Sequence, residues 1–122
     1  MIVIAVDDER LALENLVEAI AHASADAKIH RFRYPEDALA FVDEHDCNIA
    51  FLDVEMPGSS GIYVGAELKK RNPACKVFIV TSYPDYLDDA MRFQVFRYLS
   101  KPIDKERLFR NLKDAMYQYN MA

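Results

Sequence analysis

Glycine and proline are scarce in this chain, three and five of 122 residues, and no low-complexity or linker-like tract stands out. No internal repeat of roughly 20–50 residues is visible. Composition does not break anywhere, so residues 1–122 are expected to form a single domain of common size. Only two cysteines occur, Cys47 and Cys75. They lack metal-ligand spacing and have no evident base nearby, so they are expected to be reduced and incidental. No apolar run approaches the roughly 18 residues needed to span a bilayer. The sequence opens directly into a strand-like run without a basic leader, so no membrane contact and a cytoplasmic location are expected. Positive charge is also in deficit, with 15 Lys and Arg against 20 Asp and Glu, a formal net charge of −5. A basic surface that neutralises nucleic-acid phosphates is thereby excluded for this domain.

Apolar residues are plentiful at 52%, enough for an ordinary core, and their spacing alternates between two periods. Ile2 to Val6, Asn48 to Asp53 and Val77 to Val80 are near-continuous apolar runs, as expected of central strands buried on both faces. Lys28 to Arg33 and Phe96 to Ser100 are more mixed, and the former is polar enough for an edge strand. Between them, Leu13, Leu16, Val17 and Ile20 mark one helical face, and Ala38, Leu39, Phe41 and Val42 a second, with Pro35 at its start. Val64, Ala66 and Leu68 belong to a third helix that Asn72-Pro73 stops. A fourth is expected from Asp85 to Phe93 after Pro84. A closing helix capped by Asp104 turns Leu108, Phe109, Leu112, Ala115, Met116 and Tyr119 inward. Five such βα units predict an α/β, three-layer, flavodoxin-like fold. Its five-stranded parallel sheet has the order 2-1-3-4-5, and five helices cover it.

In such a sheet the carboxyl ends of the strands share one edge, and ligands bind there. The first strand ends in Asp7-Asp8-Glu9, the third in Asp53, the fourth in Thr81-Ser82 and the fifth in Lys101-Pro102. Three carboxylates brought that close repel one another unless a cation neutralises them. Oxygen-only donors without His or Cys point to Mg²⁺. One carboxylate can then act as a nucleophile toward a phosphoryl group. Lys101 is the natural cation for its developing charge, and Thr81 a hydroxyl donor to its oxygens. A cis Lys101-Pro102 bond is expected to aim the amine inward.

Taken together these motifs resemble the receiver domain of bacterial two-component response regulators, over essentially the whole chain. The likeness rests on Asp7-Asp8-Glu9, Asp53-x-x-Met56-Pro57-x-x-x-Gly61, Thr81-Ser82 and Tyr98-x-x-Lys101-Pro102. The resemblance implies that Asp53 is the phosphoacceptor for a sensor histidine kinase. It implies Mg²⁺ held by Asp8, Asp53 and the main-chain carbonyl of Glu55, with Asp7 acting nearby or through water. Lys101 becomes the counter-ion of the phosphoryl group, and Thr81 with Tyr98 the pair that senses it and rearranges the output face. Such a domain is a signalling phosphoacceptor rather than an enzyme, with self-catalysed transfer and slow self-dephosphorylation. The segment from Thr81 to Tyr86, with Phe93 and the stretch from Tyr98 to Ile103, resembles receivers joined to LytTR-type DNA-binding domains. A DNA-binding output domain outside this chain, controlling transcription, is the corresponding expectation.

Particular residues also bear on rival readings. Glu55 stands two residues after Asp53, where a small aspartyl-phosphate-forming phosphohydrolase places its second acid. The chain has no room for the cap such enzymes carry. A flavin-binding module needs a phosphate-cradling loop where Asp7-Asp8-Glu9 stands instead. A pseudo-receiver is disfavoured because every motif position is filled. Glu55 is expected to affect phosphoryl lifetime by repelling or ordering water, and Tyr83 to shield the group. Tyr86, Phe93 and Phe96 are candidates for a homodimer or partner surface. His22, His30 and His45 are expected at the surface rather than in a relay.

Overall fold

A computed structural model describes residues 1–55, 60–82 and 95–121, the last four of these by their backbone alone. Five strands, β1 (Ile2–Val6), β2 (Lys28–Phe32), β3 (Ile49–Asp53), β4 (Lys76–Thr81) and β5 (Arg97–Ser100), pair in parallel in the order β2-β1-β3-β4-β5. Among the described residues there are four helices, α1 (Arg10–Ala23), α2 (Pro35–Glu44), α3 (Gly61–Arg71) and α4 (Lys105–Met121). The helix expected from Asp85 to Phe93 lies outside the described residues, as do Met56, Pro57, Tyr83 and Tyr86. No described helix is long and apolar enough to cross a membrane.

Successive residues of a strand point to opposite faces of its sheet, and here both faces are covered. Val3, Ala5, Ile49, Phe51, Phe78 and Val80 pack with the buried residues of α1 and with Leu108, Leu112 and Ala115 of α4. Ile4, Val6, Ala50, Leu52, Val77 and Ile79 pack on the other side with Ala38 and Val42 of α2 and Val64 and Leu68 of α3. This two-sided burial explains why β1, β3 and β4 read as unbroken apolar runs. Phe51 and Phe78 face each other across the β3–β4 pair, stacked at 4.6 Å, and truncating either would cost roughly 3–5 kcal/mol. The edge strand β2 is only half-buried, as its mixed pattern requires.

Local signals hold the elements in place. Pro35 sits in the first turn of α2. Ser60 caps α3 by accepting the Ile62 N–H at 3.0 Å. Asp104 accepts the N–H groups of Glu106 and Arg107 at 3.0 and 3.1 Å, the N-cap role expected of it. The Lys101–Pro102 bond is cis, as expected.

Several placements differ from the sequence reading. Phe109, assigned to the inner face of the last helix, is 44% exposed; it neighbours Leu108 on the helical wheel but points away from the sheet. In α3 the buried small residues are Gly61 and Gly65, and Ala66 is only half-buried. His30 is half-buried, its ring 4.5 Å from Phe41, so it is not a simple surface residue. Phe96 packs edge-on against Phe78 at 5.5 Å and supports the core. Cys47 and Cys75 are buried with their sulfurs 3.7 Å apart. Their mutual hydrogen bond, then burial, pushes the Cys75 thiol pKa up.

Candidate functional site

The sheet register explains how residues far apart in sequence meet. Val6 pairs with Leu52, and Asp53 with Val80, so one step past the end of β1 brings Asp7 beside Asp53. Thr81 pairs with Ser100, and the next residue is Lys101, whose N–H donates to the Thr81 carbonyl at 3.0 Å. The carboxyl ends of β1, β3, β4 and β5 thus open into one cleft of about 650 Å³, with Asp7, Asp8, Asp53, Glu55, Ser82 and Lys101 among its walls.

Three acids converge there, with carboxylate oxygens of Asp7, Asp8 and Asp53 all within 4.8 Å of one another. Lys101 Nζ donates to Asp7 Oδ2 at 2.9 Å and pairs with Asp53 Oδ1 at 3.1 Å. The other oxygen of Asp7 accepts the Glu9 N–H at 2.9 Å, which closes the turn after β1. Burial, and then the charge of Asp7, pushes the Asp53 carboxyl pKa up to about 6, although Lys101 and the Glu55 N–H pull it down. For Lys101, burial works against the charged form, but its bonds and attraction to Asp7 and Asp53 prevail and raise its pKa. One ammonium therefore stands against three carboxylates. A surplus of negative charge on hard oxygen donors fits a small divalent cation such as Mg²⁺.

Thr81 is buried at the end of β4, and its neighbour Ser82, which is exposed, lines the cleft in its place. Tyr98 is half-buried on the face of the sheet that carries α2 and α3. The Glu55 side chain is exposed and borders the cleft. Gly61 begins α3 directly under the acid of β3. A Cβ there would run into the Asp53 carbonyl oxygen and come within 2.7 Å of its carbon, while the Gly61 N–H donates to Val54 at 3.0 Å. Only glycine fits that approach.

Two wall residues, Arg10 and Arg33, belong to none of the sequence motifs. Arg33, the first residue past β2, borders the cleft and donates from Nε and Nη2 to the main-chain carbonyl of Asp8, at 3.3 and 3.1 Å. The signal was the strand order, which sets the end of β2 next to that of β1.

Comparison with known proteins agrees with this architecture. The family model described as "Response regulator receiver domain" matches residues 3–113. The sensory transduction protein LytT of Bacillus subtilis is 30% identical over 111 residues, covering 91% of this chain and 46% of that protein. The positive alginate biosynthesis regulatory protein of Pseudomonas aeruginosa is 32% identical over 120 residues, 94% of this chain and 47% of that one. The chain thus spans about half the length of the curated relatives it matches. Among solved structures, the response regulatory domain of MrkE from Klebsiella pneumoniae superposes with a TM-score of 0.91 at 24% identity, over 100% of both chains, a likeness of fold.

Proposed function

Because this chain belongs to the response regulator receiver domain family, we propose that it takes a phosphoryl group onto Asp53 from a sensor histidine kinase. The observation that carries this reading is the reach of Lys101 Nζ, 3.1 Å from Asp53 Oδ1, inside a cluster of three acids. An Asp53 oxygen attacks phosphorus, the bond to the kinase imidazole breaks, and its electron pair returns to the ring. Lys101 neutralises charge on the transferred oxygens, and the Thr81 hydroxyl donates to one of them. Asp8, Asp53 and the main-chain carbonyl of Glu55 would hold Mg²⁺, with Asp7 engaged to Lys101 close by. Bound Mg²⁺ supplies charge neutralisation at the phosphoryl oxygens.

The same residues suit a switch. Phosphorylation adds charge and strong acceptors beside Thr81. Movement of Thr81 toward them would free space for the half-buried Tyr98 ring and bias two pre-existing states of the neighbouring face. The domain acts as a cytoplasmic signalling unit over residues 1–122. Its phosphoryl group is lost slowly by self-catalysed hydrolysis, and the rearranged face controls a homodimer or an output domain outside this chain. The doubled length of the relatives, which include regulatory proteins, supports transcription control through a DNA-binding output.

Incubation with acetyl phosphate and Mg²⁺ tests this reading. One phosphoryl group per chain, lost in Asp53→Asn and in chelator, is expected. Sustained release of phosphate from small esters would instead mark a hydrolase.

A further inference from the structure

The three clustered aspartates of the cleft are not held alike. Asp7 is tied through both carboxylate oxygens, to the Glu9 N–H and to Lys101. Asp53 is paired with Lys101 and accepts the Glu55 N–H. The Asp8 carboxylate has no hydrogen bond or ion pair to any described residue, yet it lies within 4.8 Å of two other carboxylates that repel it. With no partner among the described residues, this side chain takes its position from its main chain. Two contacts from the end of β2 fix that main chain. The Asp7 N–H donates to the Phe32 carbonyl at 3.1 Å, and the Arg33 guanidinium sets two N–H groups on the Asp8 carbonyl.

We propose that Arg33 is a positioning residue of the cation site: its grip on the Asp8 carbonyl holds the Asp8 carboxylate toward Asp53 and so sets the affinity for Mg²⁺. This rests on the reading that Asp8 and Asp53 share the metal. The guanidinium binds the main chain of a ligand residue, and would work as partners of metal ligands do, by fixing their orientation. A hydrogen bond to a charged donor is stronger than a neutral one, and two on one oxygen restrict its rotation. The clamp must overcome an opposing effect, since a positive charge near the cleft repels a dication. The two effects predict opposite signs on removal of Arg33, so a binding measurement separates them.

The experiment is an amide NMR titration of the full chain with Mg²⁺ at neutral pH, for wild type, Arg33→Gln, Arg33→Lys and Asp53→Asn. Arg33→Gln should bind Mg²⁺ about tenfold more weakly. Arg33→Lys keeps the charge but cannot place two N–H groups on one oxygen in the same way, and should fall between. The thermal midpoint of both variants in chelator should stay at the wild-type value, because Arg33 is exposed; a purely structural role would lower it. Unchanged or tighter Mg²⁺ binding in Arg33→Gln, with binding still lost in Asp53→Asn, overturns the positioning role and leaves the metal site standing. If wild type itself binds no Mg²⁺, the metal reading falls and this inference with it. Should Arg33→Gln fail to fold, Arg33→Lys decides alone, and wild-type affinity in it overturns the proposal.

Discussion

Removing the charge at Asp53 should make the metal-free protein more stable at neutral pH. Asp53 is 5% exposed. Burial and the nearby Asp7 lift its carboxyl pKa from 3.8 to about 6, against the pull of Lys101. A carboxyl raised in this way holds its proton more tightly in the folded chain than in the unfolded one. Its contribution to stability is therefore complete below pH 3.8 and is lost as the pH rises through about 6. At about 1.4 kcal/mol per pH unit, the ionised side chain costs the fold about 3 kcal/mol above that range. Asp53→Asn keeps the shape and removes the charge, and Lys101 retains Asp7 as its partner at 2.9 Å. Urea unfolding in chelator should show the variant more stable than wild type by up to about 3 kcal/mol at pH 8. Its thermal midpoint should rise by roughly 10 °C. The gap should close near pH 4, and saturating Mg²⁺ should narrow it at pH 8 by stabilising wild type alone. A variant no more stable than wild type at pH 8, or a gap that ignores pH, would refute the reasoning.

Lys101→Met leaves Asp7 and Asp53 facing each other without their shared ammonium, and should cost about 3–5 kcal/mol at neutral pH. The loss measured by urea melts should already shrink as the pH falls toward about 6, because without Lys101 to lower its pKa Asp53 takes up its proton at a higher pH than in the wild type. Gly61→Ala sets a methyl group against the Asp53 carbonyl. It should lower stability by about 1–3 kcal/mol and weaken Mg²⁺ binding in the same sample, read by calorimetry. Glu55→Asn removes an exposed carboxylate bordering the cleft, one able to order the attacking water. The phosphorylated protein should then dephosphorylate several-fold more slowly, and an unchanged decay rate contradicts that role.

Much of this architecture was legible because parallel strands covered on both faces leave an unmistakable mark. Ile49 to Leu52 has no polar member, and the first charge after it, Asp53, had to fall at the strand's end. The same logic applied to Val6-Asp7 and Val80-Thr81, so the cluster followed from strand order. What escaped is instructive. Arg33 follows a mixed edge strand and looks like one more solvated cation; strand order sets it beside the end of β1, but its partner is a main-chain carbonyl that no residue type announces. Phe109 carries an apolar side chain beside Leu108, and hydrophobicity alone could not tell that the helix turns it outward. A glycine adds nothing to an apolar count, so the pattern points to Ala66, although Gly65 is the buried one. Polarity places His30 at the surface, whereas Phe41 offers its ring a face to cover.

The most direct test of the central claim is to find where the phosphoryl group goes. After reaction with acetyl phosphate and Mg²⁺, peptide mapping by mass spectrometry should place a single phosphoryl group on the fragment holding Asp53, with the fragment holding Asp7 and Asp8 unmodified. Modification at another residue, or none under conditions where Mg²⁺ demonstrably binds, would contradict it.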